Sequence, residues 1–233
     1  MKILISPSKT MKKVNEPSLN HHIFENEKQL LYNHLKTLSL NSIKKTFGIS
    51  DKLSKEVESY YKTFKEDSPA ILTYTGAQFK ALNYKQLDDN SKDYLDKHLL
   101  IMSGLYGLLK PKDAVAYYRL PMGVSLNKQS MEFFWKNPIN NYLKEEDFII
   151  NLASDEYGDL LNHPKTISIV FYQSLAPLKR AASMEVKKLR GIFLRFLATK
   201  NIKQLDELKR FCAEGYKVNE SFSNALTIVF IKS

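Results

Sequence analysis

Three polar clusters hold the side chains best suited to chemistry, and each follows a short apolar, β-branched run. Ser6, Ser8, Lys9 and Thr10 stand in ISPSKT behind Ile3–Ser6, and Ser103, Gly104 and Gly107 stand in SGLYG behind Leu99–Ser103. Ser154, Asp155 and Glu156 stand in NLASDEY behind Phe148–Ala153. Proteins with a sheet covered by helices gather ligand groups beyond the carboxyl ends of their strands, so the three clusters are expected to converge on one cleft. There Lys9 would act as nucleophile or electrostatic clamp, and Asp155 or Glu156 as acid/base. Neighbours at a helix start point about 100° apart, so Asp155 and Glu156 are two separate carboxylates and not a ready pair. ISPSKT lacks the two glycines of a phosphate-binding P-loop, and SGLYG reads as a sharp turn before it reads as a phosphate cradle.

Other chemistries find little support. No HExxH, no metal-spaced Cys/His set and no GxSxG occurs in the chain. His21 and His22 lie in a polar stretch and His34, His98 and His163 are isolated, which reads as surface or satisfied core histidines. Asp155, Glu156 and Asp159 would have to bind iron without a suitably spaced histidine. The single cysteine, Cys212, excludes an intramolecular disulfide and reads as structural, in keeping with a reducing cytosol. No cofactor and no metal is expected.

The charge pattern points to an anion. The chain of 233 residues carries a net charge of +10, and that excess is concentrated. Ala176–Lys217 holds eleven Lys/Arg against four Asp/Glu, and Asn41–Lys65 six Lys against three acids. Lys144–Asn162 holds one Lys against six acids. Blocks of this kind argue for an anion-binding face over a uniformly basic background. On a helix from Ser183, Val186, Leu189, Phe193, Phe196 and Leu197 share the core side, with Lys187, Lys188 and Arg195 on the opposite arc. Gly191 and Ala198 fall between those cations and would let a nucleic-acid backbone approach closely.

The stretch TFGISDKLSKEV, Thr46–Val57, reads as two helices joined at Gly48, with Ser50 or Asp51 as N-cap of the second. It is close to a helix-hairpin-helix, in which a glycine permits the tight turn and a helix N-terminus presents free N–H groups to a phosphate. Lys52 and Lys55 would add charge there. Phe47 replaces the usual proline and Ser50 the second glycine, so a plain helix–turn–helix remains the competing reading.

These residues need a scaffold. Ile3–Ser6, Ala70–Thr75, Leu99–Ser103, Phe148–Ala153, Thr166–Tyr172 and Ala225–Ile231 read as strands, most of them apolar throughout and so buried on both faces. Phe24–Thr37, Asp51–Phe64, Ser91–His98, Ser130–Leu143 and Ser183–Lys200 read as helices. The expected fold is α/β (α+β): a mixed sheet of about six strands flanked by helices, in one domain over 1–233, with the hairpin-like insertion at about 41–65. No run reaches membrane-spanning length. The expectation is a cytoplasmic monomer.

Read in order, ILISPSKT, ISDKL, LIMSGLYGLLKPKD, YRLPMG, the FW at Phe134–Trp135, INLASDEY, the RG-x-x-x-RF at Arg190–Phe196 and EGY at Glu214–Tyr216 resemble the YaaA family of bacterial peroxide stress proteins along nearly the whole chain. The resemblance implies an unusual mixed α/β fold with a helix-hairpin-helix-like element, falling here on Ile49–Leu53 and its flanks. It also implies a basic cleft that binds double-stranded DNA without reading sequence, and protection against damage by unincorporated iron. By position and charge the cleft would draw on Lys9, Lys187, Lys188, Arg190 and Arg195, and the hairpin on Gly48, Ser50, Lys52 and Lys55. The alternative is an enzyme acting on nucleotides or damaged nucleic acid through Lys9, Asp155, Glu156 and Arg190.

Overall fold

The computed structural model describes every residue except Asn20 and Ala176. Its centre is a mixed sheet of nine strands: β1 (Lys2–Ile5), β2 (Leu99–Ser103), β3 (Gly107–Leu109), β4 (Ile149–Leu152), β5 (Thr166–Leu175), β6 (Leu178–Arg180), β7 (Cys212–Ala213), β8 (Tyr216–Val218) and β9 (Thr227–Lys232). Their order is β7-β8-β9-β5-β4-β1-β2-β3, with β6 paired to β5 outside that path. The helices are α1 (Glu25–Leu35), α2 (Leu40–Phe47), α3 (Asp51–Lys62), α4 (Ala70–Thr73), α5 (Ala77–Leu82), α6 (Asp89–His98), α7 (Met131–Leu143), α8 (Asp155–Gly158) and α9 (Ser183–Thr199).

Five strands run parallel at the heart of the sheet. Ile3 faces Leu99 and Ile150 in register, Ile149 faces Thr166, and Thr227 faces Ser168. Counted along the chain, these parallel strands stand in the order 2-1-3-4-5, so the chain first steps from β1 to β2 and then returns past β1 to place β4 on its other side. Between β1 and β4 the winding reverses. Loops leaving the two strands there diverge and leave a crevice.

The apolar runs explain the central strands. Ile3, Leu4 and Ile5 have no exposed surface, and all of Leu99–Ser103 is buried, as continuous runs demand. β5 behaves differently: Ile167, Ile169 and Phe171 are buried while the residues between them are not. Phe171 and Phe230 of β9 pack with Phe193 of α9 and with Phe211, ring centroids 4.8–6.5 Å apart, an aromatic layer that fastens α9 to the sheet.

Helix starts follow their caps. Ser39, Ser50, Asp88 and Ser130 accept from the backbone N–H of Ser42, Leu53, Ser91 and Phe133 and begin α2, α3, α6 and α7. One expected strand is corrected. Ala70–Thr75 is not extended; Ala70–Thr73 is the single helical turn α4. Ser68–Pro69 takes the strand role and pairs with Ala114–Val115. The Thr73 hydroxyl donates to the Pro69 carbonyl at 2.8 Å, while Ala70 and Ile71 donate their N–H to Asp113 and Pro111. With Ala70, Ile71 and Thr73 all buried, a short apolar run has no exposed side from which to tell a turn of helix from a strand.

Candidate functional site

The crevice between β1 and β4 holds an open cleft of about 560 Å³. One wall is the loop Ser6–Thr10 leaving β1, and facing it are Ser154, Asp155 and Glu156, which follow β4 and open α8. Two serines tie these loops together: the Ser6 hydroxyl meets Ser154 Oγ at 3.0 Å and accepts the Ser154 N–H at 2.8 Å. The Ser8 hydroxyl accepts the Thr10 N–H at 3.1 Å and meets Thr10 Oγ1 at 3.0 Å, and Thr75 donates its N–H to the Thr10 carbonyl. A Cβ at Gly76 would lie 2.7 Å from the Ser8 hydroxyl, so a larger residue at the start of α5 would make the Ser8 side chain turn away.

Lys9, Asp155, Glu156, Lys187 and Arg190 all line this cleft. A neighbouring hollow of about 610 Å³ shares Ser154, Asp155, Ser183, Lys187 and Arg190 with it and adds Arg180. Asp155 Oδ2 lies 3.9 Å from Arg180, and Glu156 accepts the Gly123 N–H at 3.3 Å. Among the described residues no carboxylate lies within 4 Å of Lys9, Arg119, Lys187 or Arg190 as an ion-pair partner. Burial holds the Arg190 guanidinium below the ordinary arginine range, with Asp155 acting the other way, and its Nε is buried without a partner. Four cations thus face one cleft with little internal compensation.

Arg119 and Gln78 line the same cleft and escape sequence reasoning. Arg119 carries its signal in YRLPMG, but nothing in that spacing says where the guanidinium goes. Its carbonyl accepts a hydrogen bond from Tyr61 of α3, and Tyr60 stacks on Tyr117 at 5.4 Å, so the hairpin helix is anchored to the cleft wall. The third cluster, SGLYG, forms the buried β2–β3 turn. The Ser103 hydroxyl accepts the N–H groups of Leu105 and Tyr106, and Trp135 donates to the Gly104 carbonyl at 2.7 Å. The segment is a sharp turn, and the whole of 103–107 is buried, away from any phosphate in solution. Ser103 reaches the cleft only through Tyr118, whose hydroxyl meets Ser103 Oγ and Tyr74 OH at 2.7 Å each. Burial pushes Tyr118 up to about 12 and keeps it neutral.

Other expected residues lie elsewhere. Arg195 is not in the cleft: its guanidinium donates to the Leu82 and Asn83 carbonyls at 2.9 and 3.1 Å, closing the end of α5. Lys188 pairs with Glu214 at 2.8 Å. The open path past Gly191 and Ala198 is a correction. A Cβ on Gly191 would collide with the Gln78 carbonyl, and Ala198 is buried; Gly191 admits α5, and neither position is open to a ligand. Gly48 joins α2 to α3 at φ +58° in open space, with Ser50, Lys52 and Lys55 exposed beside it. The Ser50 hydroxyl is used by Leu53 N–H, and Asp51 at the helix start pairs with Lys44 at 2.6 Å. His22 is a satisfied core histidine, between Glu25 and the Ala114 carbonyl. Cys212 is exposed. Among the described residues, no three His, Cys, Asp or Glu side chains gather as a metal site and no helix is long and apolar enough to cross a membrane.

Fold and cleft together define a mixed α/β protein with a cation-lined crevice beside the ends of β1 and β4. The chain belongs to the family described as peroxide stress protein YaaA, whose model matches residues 1–222. It is similar to a UPF0246 protein of Finegoldia magna, 34% identical, with 100% of this chain and 98% of the relative covered. A UPF0246 protein of Desulfitobacterium hafniense is likewise 34% identical over 100% and 98% of the two chains. One from Rickettsia felis is 32% identical over the full length of both.

Proposed function

We propose that this protein binds double-stranded DNA without reading its sequence, laying the phosphate backbone along the basic cleft. The reading is of a cytoplasmic monomer that acts under peroxide stress and limits iron-mediated damage by occupying DNA. The observation that carries it is the gathering of Lys9, Arg119, Lys187 and Arg190 around one open cleft, none with a carboxylate at ion-pair distance. Such cations recover counterion-release free energy from any duplex, whatever its bases. The α2–α3 hairpin adds a second grip through the Gly48 turn, Lys52 and Lys55. Asp51 and the occupied Ser50 hydroxyl weaken that grip, so the cleft takes most of the load. Salt-titrated duplex binding tests the reading. Each phosphate contact contributes about −0.9 to the slope of log affinity on log salt, so the four cleft cations predict a slope of about −4. Lys9→Ala or Lys187→Ala should reduce its magnitude by about 1 each, equally for any duplex sequence.

A second reading has one specific observation in its favour: Lys9 shares the cleft with Asp155 and Glu156. An enzyme acting on nucleotides or damaged nucleic acid would use Lys9 as nucleophile or clamp and a carboxylate as acid/base. Product analysis on damaged oligonucleotides separates the two. Turnover abolished by both Lys9→Ala and Glu156→Gln supports the enzyme, and binding with unchanged oligonucleotide supports the first reading alone.

A further inference from the structure

Behind the cations, the cleft contains a polar group that the protein itself does not use. Gln78 is 7% exposed, lines the cleft, and its amide nitrogen Nε2 is buried with no hydrogen-bond partner. A buried amide donor without an acceptor is costly and native folds avoid it unless the group has another role. The donor is held in place from behind. The backbone carbonyl of Gln78 lies against Gly191, where no side chain would fit, and Arg195 closes the other end of the same short helix. Around it the lining is aromatic and apolar: Phe79, Tyr118, Leu120 and Tyr157 are all buried at 3–8% exposure, and Met184 projects from α9. The result is a recess with an apolar and aromatic lining and three unpartnered donors, Gln78 Nε2 and the Nε atoms of Arg119 and Arg190, with Lys9 and Lys187 beside them.

We propose that this recess receives a single unpaired nucleotide. The base lies against the aromatic wall and accepts the Gln78 Nε2 hydrogen bond on a ring nitrogen or carbonyl, while its phosphate meets Arg190 and Lys187. Each part of the site has its counterpart in that ligand: a planar apolar face with a polar edge, joined to an anion. A base in a paired stack cannot reach the recess, so one taken from DNA must already be unpaired or be swung out. The inference rests on the DNA-binding reading for its source of nucleotides, and a free nucleoside monophosphate is the other source of the same chemistry.

Affinities of the full chain are compared for three duplexes of one sequence: fully paired, carrying one unpaired nucleotide, and carrying an abasic residue at that bulge. A nucleoside monophosphate is titrated alongside. The unpaired base should bind about 10-fold tighter than the abasic bulge, from stacking plus one hydrogen bond. Gln78→Leu, of similar shape, should erase that difference and raise Tm by about 3 °C by removing the orphan donor. Gln78→Glu, which keeps the shape but loses the donor, should erase the difference as well. Equal affinity of the wild type for all three duplexes overturns the nucleotide recess and leaves backbone binding standing. Gln78-dependent binding of the monophosphate without duplex binding supports the recess and overturns the DNA reading. Retained discrimination in both Gln78 variants removes the role given to Gln78.

Discussion

Arg190 and Arg195 are five positions apart on one helix and do different work. Arg190 is partly withdrawn from water at the cleft, whereas Arg195 donates to two carbonyls at the end of α5. Arg195→Ala should therefore lower stability by about 1.5–3 kcal/mol, the range for hydrogen bonds from a charged group, with duplex affinity nearly unchanged when measured on folded protein. Denaturant midpoints and binding curves on the same preparation check it, and loss of affinity with full stability would return Arg195 to the DNA-binding set. A separate residue sets a pH dependence. Asp113 is 1% exposed, accepts the Lys110 N–H at 2.8 Å, and burial pushes its carboxyl up to about 6. The ordinary value is about 3.9. A pKa raised by folding means that the protonated form is favoured in the fold, so this contribution is full below pH about 4 and is lost as pH rises through 6. Asp113→Asn should gain on the wild type in urea midpoint between pH 4.5 and 7; a gap independent of pH would contradict this.

At the scale of elements, α9 is where the sequence is most informative and most misleading. Its core side was legible from spacing, and Leu189, Phe193 and Leu197 are fully buried. Period alone could not show that Gly191 is covered by α5, because α5 is six residues long and has no pattern of its own. A glycine among cations looks the same in sequence whether it admits a ligand or a neighbouring helix. Gly191→Ala decides between these. A methyl against the Gln78 backbone carbonyl has nowhere to go, so the substitution should destabilise by about 1–3 kcal/mol or more, as overpacking does. An alanine there that stabilises, through its better helix propensity, would show that α5 does not press on α9. The strand at Ala70–Thr75 was misread for a related reason, since complete burial erases periodicity. Five of the six expected strands stand in the central sheet because their runs are long, β-branched and bounded by turns. Lys9, Asp155 and Glu156 were legible as cleft residues through their place after strands, and Lys187 through the basic arc of α9; Arg190 entered only with the family resemblance, and Arg119 and Gln78 were not legible, since each reaches the cleft by tertiary packing of a loop and a short helix.

For the whole molecule, the winding order matters more than the net charge. A charge of +10 spread evenly would give weak, diffuse attraction to any polyanion. The reversal between β1 and β4 instead directs two loops apart, and α9 brings Lys187 and Arg190 to the same opening. Tyr61 of α3 donates to the Arg119 carbonyl and so ties the second helix of the hairpin to the wall of that cleft. Duplex binding by the wild type and by the Lys9→Ala/Lys187→Ala pair, across a salt series and on two unrelated sequences, tests this most directly. The account predicts a slope of about −4 for the wild type, reduced by about 2 in magnitude for the pair and identical on both sequences. Affinity that ignores salt, or a slope that the pair leaves unchanged, would contradict it.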